Sequence, residues 1–460
     1  MEKKIQLNMT KYGCTDMIDP DGRVKFAKYV FLNILAMLGS SCYIVADTFF
    51  VANGVGADGL TALNLAISVF SYQQSVGLLL AIGSGTRYGI CLSRGEAERG
   101  NTVFSSALIF GICIGVLIVI MGNLFVFPLS AALGAEGEIL DMTAEYLRVI
   151  LSCAPFYISN HILVAFVRND HNPKLAAVAL LVSNASNVIL DYVFIYPFGW
   201  SMFGAAAATG LAPIISLCVL SLHFIQKKNR FRFTGFRAVG TIRKAAASFT
   251  DFCRLGISSM VNELSVGIVL MVFNFLFLGL GGNTAVAAYG IVANVALFAV
   301  AIFTGIAQGV QPLVSDYYGR GYWGQLKIVR KDTVLTAVSL ALILVLAAFV
   351  FTGQIVGAFN EDKDPVLQSI AEEGLRIYFL SFFFAGVNIA LTGYFSAMEQ
   401  AEKGFLISLL RGLAVIAPMA FGLSKLWGMT GVWLAVPVTE AVTFIVTLIL
   451  IKRSAVSLGV

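Results

Sequence analysis

Twelve apolar stretches, bounded by Gly, Pro, Asn and charged residues, run along the chain. They fall at 24–51, 60–86, 102–127, 140–167, 175–198 and 203–226, and then, after a charged connector, at 252–278, 286–314, 333–357, 375–397, 404–424 and 431–451. Each is long enough for the roughly 20 mainly apolar residues with which a helix crosses a bilayer. The pattern predicts an all-α integral membrane protein of twelve transmembrane helices. Composition agrees, because 460 residues with 58% hydrophobic and only 12% charged content exclude a soluble globule. The net charge of +5 is modest and argues against a nucleic-acid partner.

The placement of charge sets the expected topology, since Lys and Arg accumulate in cytoplasmic loops. With the N-terminus inside, the inside loops carry Arg87, Arg94, Arg99, Arg168, Lys174, Arg320, Lys327, Arg330, Lys331 and Lys403. The connector adds Lys227, Lys228, Arg230, Arg232, Arg237, Arg243 and Lys244, whereas the outside loops offer little beyond Lys363 and Lys425. Both termini are therefore expected in the cytoplasm of a cell-membrane protein. The first 22 residues are charged and lack an apolar core, so they do not read as a cleavable secretory signal. Seven cysteines without a CxxC pair suggest neither a disulfide framework nor a metal site.

The two halves resemble each other. Gly54-Val55-Gly56 followed by Ala62 recurs as Gly279-Leu280-Gly281 followed by Ala287, at an offset of 225 residues. Gly85 and the Gly95 to Gly100 pair are matched by Gly309 and the Gly319 to Gly324 pair at an offset of 224. Six crossings per half keep the halves in the same orientation, as in transporters built from parallel repeats. The expected organisation is an N-terminal six-helix lobe over 1–226, a basic cytoplasmic linker over 227–250, read as solvated, and a C-terminal six-helix lobe over 251–460.

Candidate chemistry lies in the acids that interrupt the apolar stretches. A charged side chain at membrane depth costs at least ~2.5 kcal/mol and marks ion pathways. Asp47 lies in the first stretch and Asp191 in the fifth; Asn187 sits one turn before Asp191 on the same helix face, and Thr209 lies in the sixth. Such oxygens suit a hard cation, or the two acids trade a proton. The alternatives are structural roles, with the acids capping broken helices and Asn187 and Thr209 bonding between helices. Glu263, early in the seventh stretch, reads as a second cation site, as the anionic point for a cationic ligand, or as a side chain reaching the interface. Arg411 and Glu440 read as a structural ion pair, with gating as the alternative. Pro155, Pro213, Pro312, Pro418 and Pro437 interrupt stretches where helices can kink. His161, His171 and His223 have no metal spacing. No G-x-x-x-x-G-K-[ST] loop is present and no nucleophile–base arrangement is visible, so the sequence reads neither as an ATP-driven pump nor as an enzyme.

Taken together, these residues resemble the multidrug and toxic compound extrusion (MATE) family over essentially the whole chain. The resemblance rests on Asp47-Thr48-Phe49-Phe50-Val51 with its Gly54-x-Gly56 turn, Asn187-Val188-Ile189-Leu190-Asp191, Thr209, Tyr146, the Gly256 to Glu263 segment, and Met398 to Lys403 followed by Leu409-Leu410-Arg411. It implies two pseudo-symmetric six-helix bundles around a V-shaped cleft, alternating between states as H⁺ or Na⁺ enters and a cationic amphipathic compound leaves. Carried over by position, Asp47, Tyr146, Asn187, Asp191 and Thr209 would form the cation-coupling site, and Glu263 matches an acid that some members use in the second lobe. Two positions depart from the pattern. Leu32 stands where many members carry a proline, and the tenth stretch has Asn388 but no acid.

The expected function is secondary antiport of organic cations, without a cofactor other than the coupling ion, in a protein functional as a monomer within the lipid bilayer. The alternative is a flippase or exporter of a lipid-linked saccharide or other metabolite. That reading requires Arg and Lys in the cavity, and only Arg411, Arg148 and Arg376 stand near membrane depth.

Overall fold

The computed structural model describes residues 18–235, 239–360 and 363–457, with side chains to 454. The charged segment before Ile18, with Cys14, and Arg237 of the connector lie outside the described residues. Before the connector come α1 (Gly22–Gly54), α2 (Ala57–Ser93), α3 (Ala97–Leu124), the short α4 (Val126–Ala132), α5 (Gly137–Ser152), α6 (Ala154–Asn169), α7 (Pro173–Ile195) and α8 (Ser201–Ile225). After it come α9 (Ile242–Arg320), α10 (Trp323–Val350), the short α11 (Thr352–Gly357), α12 (Pro365–Phe379), α13 (Phe382–Ala397), α14 (Ala401–Leu409), a π-helical turn (Leu410–Ala414) and α15 (Ile416–Ser457). No strand occurs among the described residues.

Eight of the described helical segments are long and apolar enough to cross a membrane, and two bent pairs act as one crossing each. Two of the eight hold more than one crossing. At about 1.5 Å per residue the 79 residues of α9 would overreach a bilayer several-fold, and its helical geometry fails at Gly281 and Gly282. Gly282 adopts φ +63° with ψ −155°, a conformation open almost only to glycine. Trp427 and Gly428 (φ +58°) break the run of α14 to α15 in the same way. Splitting both at these breaks gives twelve crossings among the described residues.

The fourth crossing bends by 48° between α5 and α6, with Pro155 in the first turn of the second half. The tenth bends by 50° between α12 and α13 at Leu380 and Ser381, without a proline. Pro213, Pro312 and Pro437 are carried inside helices.

Buried apolar side chains segregate by half. Val76, Leu80, Phe104, Ile158, Phe166 and Leu220 build one N-terminal core and Val51, Leu63, Leu147 and Met202 another, while Phe277, Tyr289, Phe303, Phe395 and Trp433 centre the C-terminal one. Helix α1 belongs to both halves: Phe26, Tyr29 and Val30 pack into the C-terminal core, and Val51 into the N-terminal one.

The start of the connector is not solvated throughout. Phe231 is fully buried against Tyr88, Phe104, Phe166, His223 and Phe224. Asp170 holds it there, accepting from the Tyr88 hydroxyl (2.9 Å) and the Arg230 N–H (2.9 Å) and lying 2.8 Å from His223 Nε2. The connector thus begins as part of the N-terminal bundle, and α9 starts at Ile242 before the apolar stretch proper.

Candidate functional site

Glycine notches let α1 and α7 approach. A methyl group on Gly39 would fall 2.8 Å from Leu181, and one on Gly54 would overlap Ile195. Between those points Asn184 donates to Ser40 Oγ at 3.1 Å. On the far side Ser183 donates to the Ala212 carbonyl of α8 at 2.8 Å. This packing presents Asp47 of α1 to Asp191 of α7, and their carboxyls meet within hydrogen-bonding reach.

The rest of the cluster closes around the pair. The Asn187 amide lies 3.2 Å from Asp191 Oδ2 at one end, and 3.2 Å from Thr209 Oγ1 and 3.3 Å from the Thr209 N–H at the other. With its nitrogen towards Asp191 and its oxygen towards Thr209, every one of these contacts is a donor–acceptor pair. The Tyr146 hydroxyl hydrogen-bonds Thr209 from α5. All five side chains are buried, Asp191 completely. Asp47 Oδ1 and Asp191 Oδ1 remain without a partner, and neither acid has an ion-pair partner among the described residues. Two touching carboxyls in a low-dielectric site cannot both stay charged without a cation between them. The arrangement can therefore accommodate one positive charge, as a shared proton or as a hard ion held by oxygens.

Glu263 stands apart from this cluster. It is half-buried on α9 and lies within electrostatic reach of Tyr43 and Tyr157 on the N-terminal bundle. Arg411 and Glu440 do pair: Arg411 Nε and Nη2 donate to Glu440 Oε1 at 3.0 and 2.8 Å. Asn388 Nδ2 donates to Glu440 Oε2 (2.8 Å) and to its carbonyl (3.0 Å), Thr447 donates to Asn388 Oδ1 (2.9 Å), and Arg411 Nη1 reaches Asn262 Oδ1 (3.4 Å). Arg411 lies in the π-helical turn. The C-terminal bundle thus holds a compensated charge pair where the N-terminal bundle holds an uncompensated one.

Sequence reasoning missed the contacts that seal the bundles together at the end bearing the basic loops. Arg87 of α2 binds both oxygens of Asp251 at 2.6 Å and also Glu399, which Tyr318 hydrogen-bonds in turn. Arg168 donates to the Gln308 carbonyl and Oε1, each at 3.0 Å. Gln311 links Thr86 (3.0 Å) with Asn169 (3.2 Å). Beside these, α2 and α9 touch backbone to backbone: a Cβ on Gly83 would overlap the Phe252 carbonyl, and one on Gly256 the Leu79 carbonyl. Gly305 and Gly309 bring α9 equally close to Asn33, Ile34, Tyr29 and Val30 of α1. The small-xxx-small spacing of Gly305 and Gly309 was the available signal.

Asp19, just before α1, completes the seal by accepting from Lys25 (2.5 Å) and from the Tyr317 hydroxyl (2.8 Å). Burial works against its charge, but these two donors hold its carboxyl below the usual carboxylate range. Because the folded value is the lower one, its contribution is present above the ordinary carboxylate pKa and is lost as pH falls through the lowered value. Further along α1, Ser41 donates to the Leu297 carbonyl of α9 at 3.4 Å. Asp47 lies about 9 Å further along α1.

Comparison with known proteins fits this architecture. The MatE family model matches twice, over residues 33–193 and 259–421, one match per half. The multidrug export protein MepA of Staphylococcus aureus (strain MSSA476) is 26% identical over 418 residues, covering 91% of each chain, and MepA of Staphylococcus saprophyticus is 25% identical over the same span. Among solved structures, an outward-facing multidrug resistance MATE family transporter superposes with a TM-score of 0.88 at 21% identity, covering 95% of this chain and 96% of that one. A MATE structure in complex with MaL6 gives 0.89 at 22%, covering 95% and 97%. With a family model matched in both halves and that fold around a buried acid cluster, the chain belongs to the MATE family of multi-pass membrane transporters.

Proposed function

We propose that this protein is a secondary antiporter of the cell membrane that exports cationic amphipathic compounds as protons enter through the Asp47–Asp191 pair. The observation that carries the reading is that pair: two buried carboxyls in contact, each with an unpartnered oxygen, held by Asn187, Thr209 and Tyr146. Direct carboxyl–carboxyl contact favours a shared proton, and Na⁺ is the competing ion. The basic loops support a cytoplasmic sealed end, with a cleft that opens outward and both termini in the cytoplasm. Coupling follows if the cation and the exported compound favour different states of the two bundles. The similarity to MepA supports multidrug substrates, and one chain carries the whole cluster, so a monomer suffices.

A lipid-linked saccharide substrate fits less well. Arg411 is taken by Glu440 and Arg376 pairs with Glu372, while Arg148 lies over the Phe127 ring in a pocket lined by Glu138, Asp141 and Glu145, an acidic setting that disfavours a phosphate.

The test is efflux of ethidium from proteoliposomes under an imposed pH gradient and, separately, an imposed Na⁺ gradient. The pH gradient should drive efflux, and Asp47→Asn and Asp191→Asn should each abolish it. Undiminished efflux in both variants would remove the assigned site; efflux driven by Na⁺ alone would reassign the ion.

A further inference from the structure

A cation bound at Asp47 and Asp191 must leave towards the basic end, and the seal between the bundles blocks that way through the cleft. Inside the N-terminal bundle a separate line of polar groups leads there. Tyr43 lies one helical turn before Asp47 on α1 and shares its face, and its hydroxyl hydrogen-bonds Tyr157 of α6. The Tyr157 ring packs on His161, with centroids 5.3 Å apart. His161 Nε2 lies 2.8 Å from Gln74 Oε1 of α2. An amide oxygen only accepts, so this contact sets the Nε2–H tautomer and leaves Nδ1 as the acceptor. Arg168, two turns further along α6 and about 10 Å lower, belongs to the seal with Gln308.

The same bundle also holds buried polar atoms with no partner. These are both amide atoms of Gln73 (1% exposed), Asn160 Oδ1 (6%) and Arg168 Nε (4%). In the C-terminal bundle the unpartnered buried side-chain atoms among the described residues are hydroxyls alone, those of Ser381, Ser408 and Thr439. A buried amide or guanidinium left unpaired costs about 1–3 kcal/mol, and proteins ordinarily meet that cost with internal water. The asymmetry falls in the bundle that carries the uncompensated acids.

We propose that Tyr43, Tyr157 and His161, joined by water at Gln73, Asn160 and Arg168, form a proton route from the Asp47–Asp191 pair to the sealed end, separate from the substrate cleft. The proposal rests on the proton-antiport reading. A proton leaves the acid pair for the Tyr43 oxygen as the hydroxyl's own proton passes to Tyr157. Tyr157 passes its proton in turn to His161 Nδ1, by way of water, and is refilled from Tyr43. With Nε2–H held on Gln74, the imidazolium releases its Nδ1 proton to a further water leading to the Arg168 side, so Tyr43, Tyr157 and His161 end as they began and the acid pair has lost one proton. The titratable and charged groups facing the line are Asp47, Asp191 and Tyr146 at its start, Glu263 across the gap from Tyr43 and Tyr157, and Arg168 at its end.

The experiment compares wild type with Tyr43→Phe, Tyr157→Phe and His161→Gln in proteoliposomes carrying an internal pH dye. Two rates are read: ethidium efflux driven by a pH gradient, and ethidium–ethidium exchange at equal pH, which moves no net proton. The route requires pH-driven efflux to fall at least about tenfold in each variant, as for loss of a proton-transfer group, with exchange within about twofold of wild type. Wild-type pH-driven efflux in both Tyr→Phe variants overturns the route while leaving the antiport reading intact. Equal loss of efflux and exchange overturns it in favour of a structural role. A wild-type protein driven by Na⁺ and not by pH removes the antiport reading and the route together.

Discussion

Arg411, half-buried, and Asp191, fully buried, are both ionisable groups in apolar helices, yet their surroundings treat them in opposite ways. Arg411 stands 224 residues after Asn187, the offset that also relates Gly85 to Gly309, so it occupies the repeat of the acid-cluster position. The second half carries a compensated pair there: the Glu440 carboxylate accepts two Arg411 hydrogen bonds and a third from Asn388. Truncation of one partner strands the other charge, which typically costs about 3–5 kcal/mol. Glu440→Ala should therefore lower thermal stability in detergent sharply, and the double variant Arg411→Met with Glu440→Met should recover most of the loss. Asp191→Asn should instead leave stability unchanged or raised, because a carboxyl–amide contact no longer needs a shared cation to hold two acids together. Equal destabilisation by Glu440→Ala and Asp191→Asn would contradict this difference between the bundles.

At the scale of elements, the contact of α2 with α9 is decided by Gly83 and Gly256. Each lies against a carbonyl of the facing backbone, so a methyl group cannot be accommodated by turning a side chain. Gly256→Ala should drive α2 and α9 apart at the basic end while leaving helix content intact. Spin labels on the basic loops of the two bundles should report a longer separation, and coupled efflux should fall; an unchanged distance distribution would count against the contact as a seal. The pattern of elements was legible only in part. Gly281-Gly282 and Gly428 announce the turns inside α9 and α15, because a positive φ next to long apolar runs calls for glycine. The 50° bend at Leu380 and Ser381 carries no proline or glycine, so no residue type announces it.

For the whole molecule, the equilibrium between states depends on what holds the bundles together at one end. Arg87 supplies a guanidinium shared by Asp251 and Glu399, three partly buried groups from the two halves. Hydrogen bonds to charged groups contribute about 1.5–3 kcal/mol, and 1.4 kcal/mol is a tenfold change in a two-state equilibrium. Arg87→Ala should therefore shift the population towards the state open at the basic end by roughly tenfold, measurable as faster labelling of a cysteine introduced at Ser315. Labelling at the wild-type rate would show that the glycine contacts suffice without the ion pairs.

The sequence by itself determined how many times the chain crosses the membrane, that its halves are duplicated, where its basic loops fall, and which apolar stretches carry acids. Those properties are local, or repeat at a fixed offset, so hydropathy and spacing expose them. Tertiary structure alone decided that Asp47 and Asp191, far apart in sequence, touch; that Glu263 stands away from them; that Phe231 anchors the connector; and that the two halves are sealed together at the basic end. Each of these depends on how closely helix backbones approach. That distance is set by glycine notches and side-chain shape on helices remote in sequence, a quantity no single apolar stretch encodes.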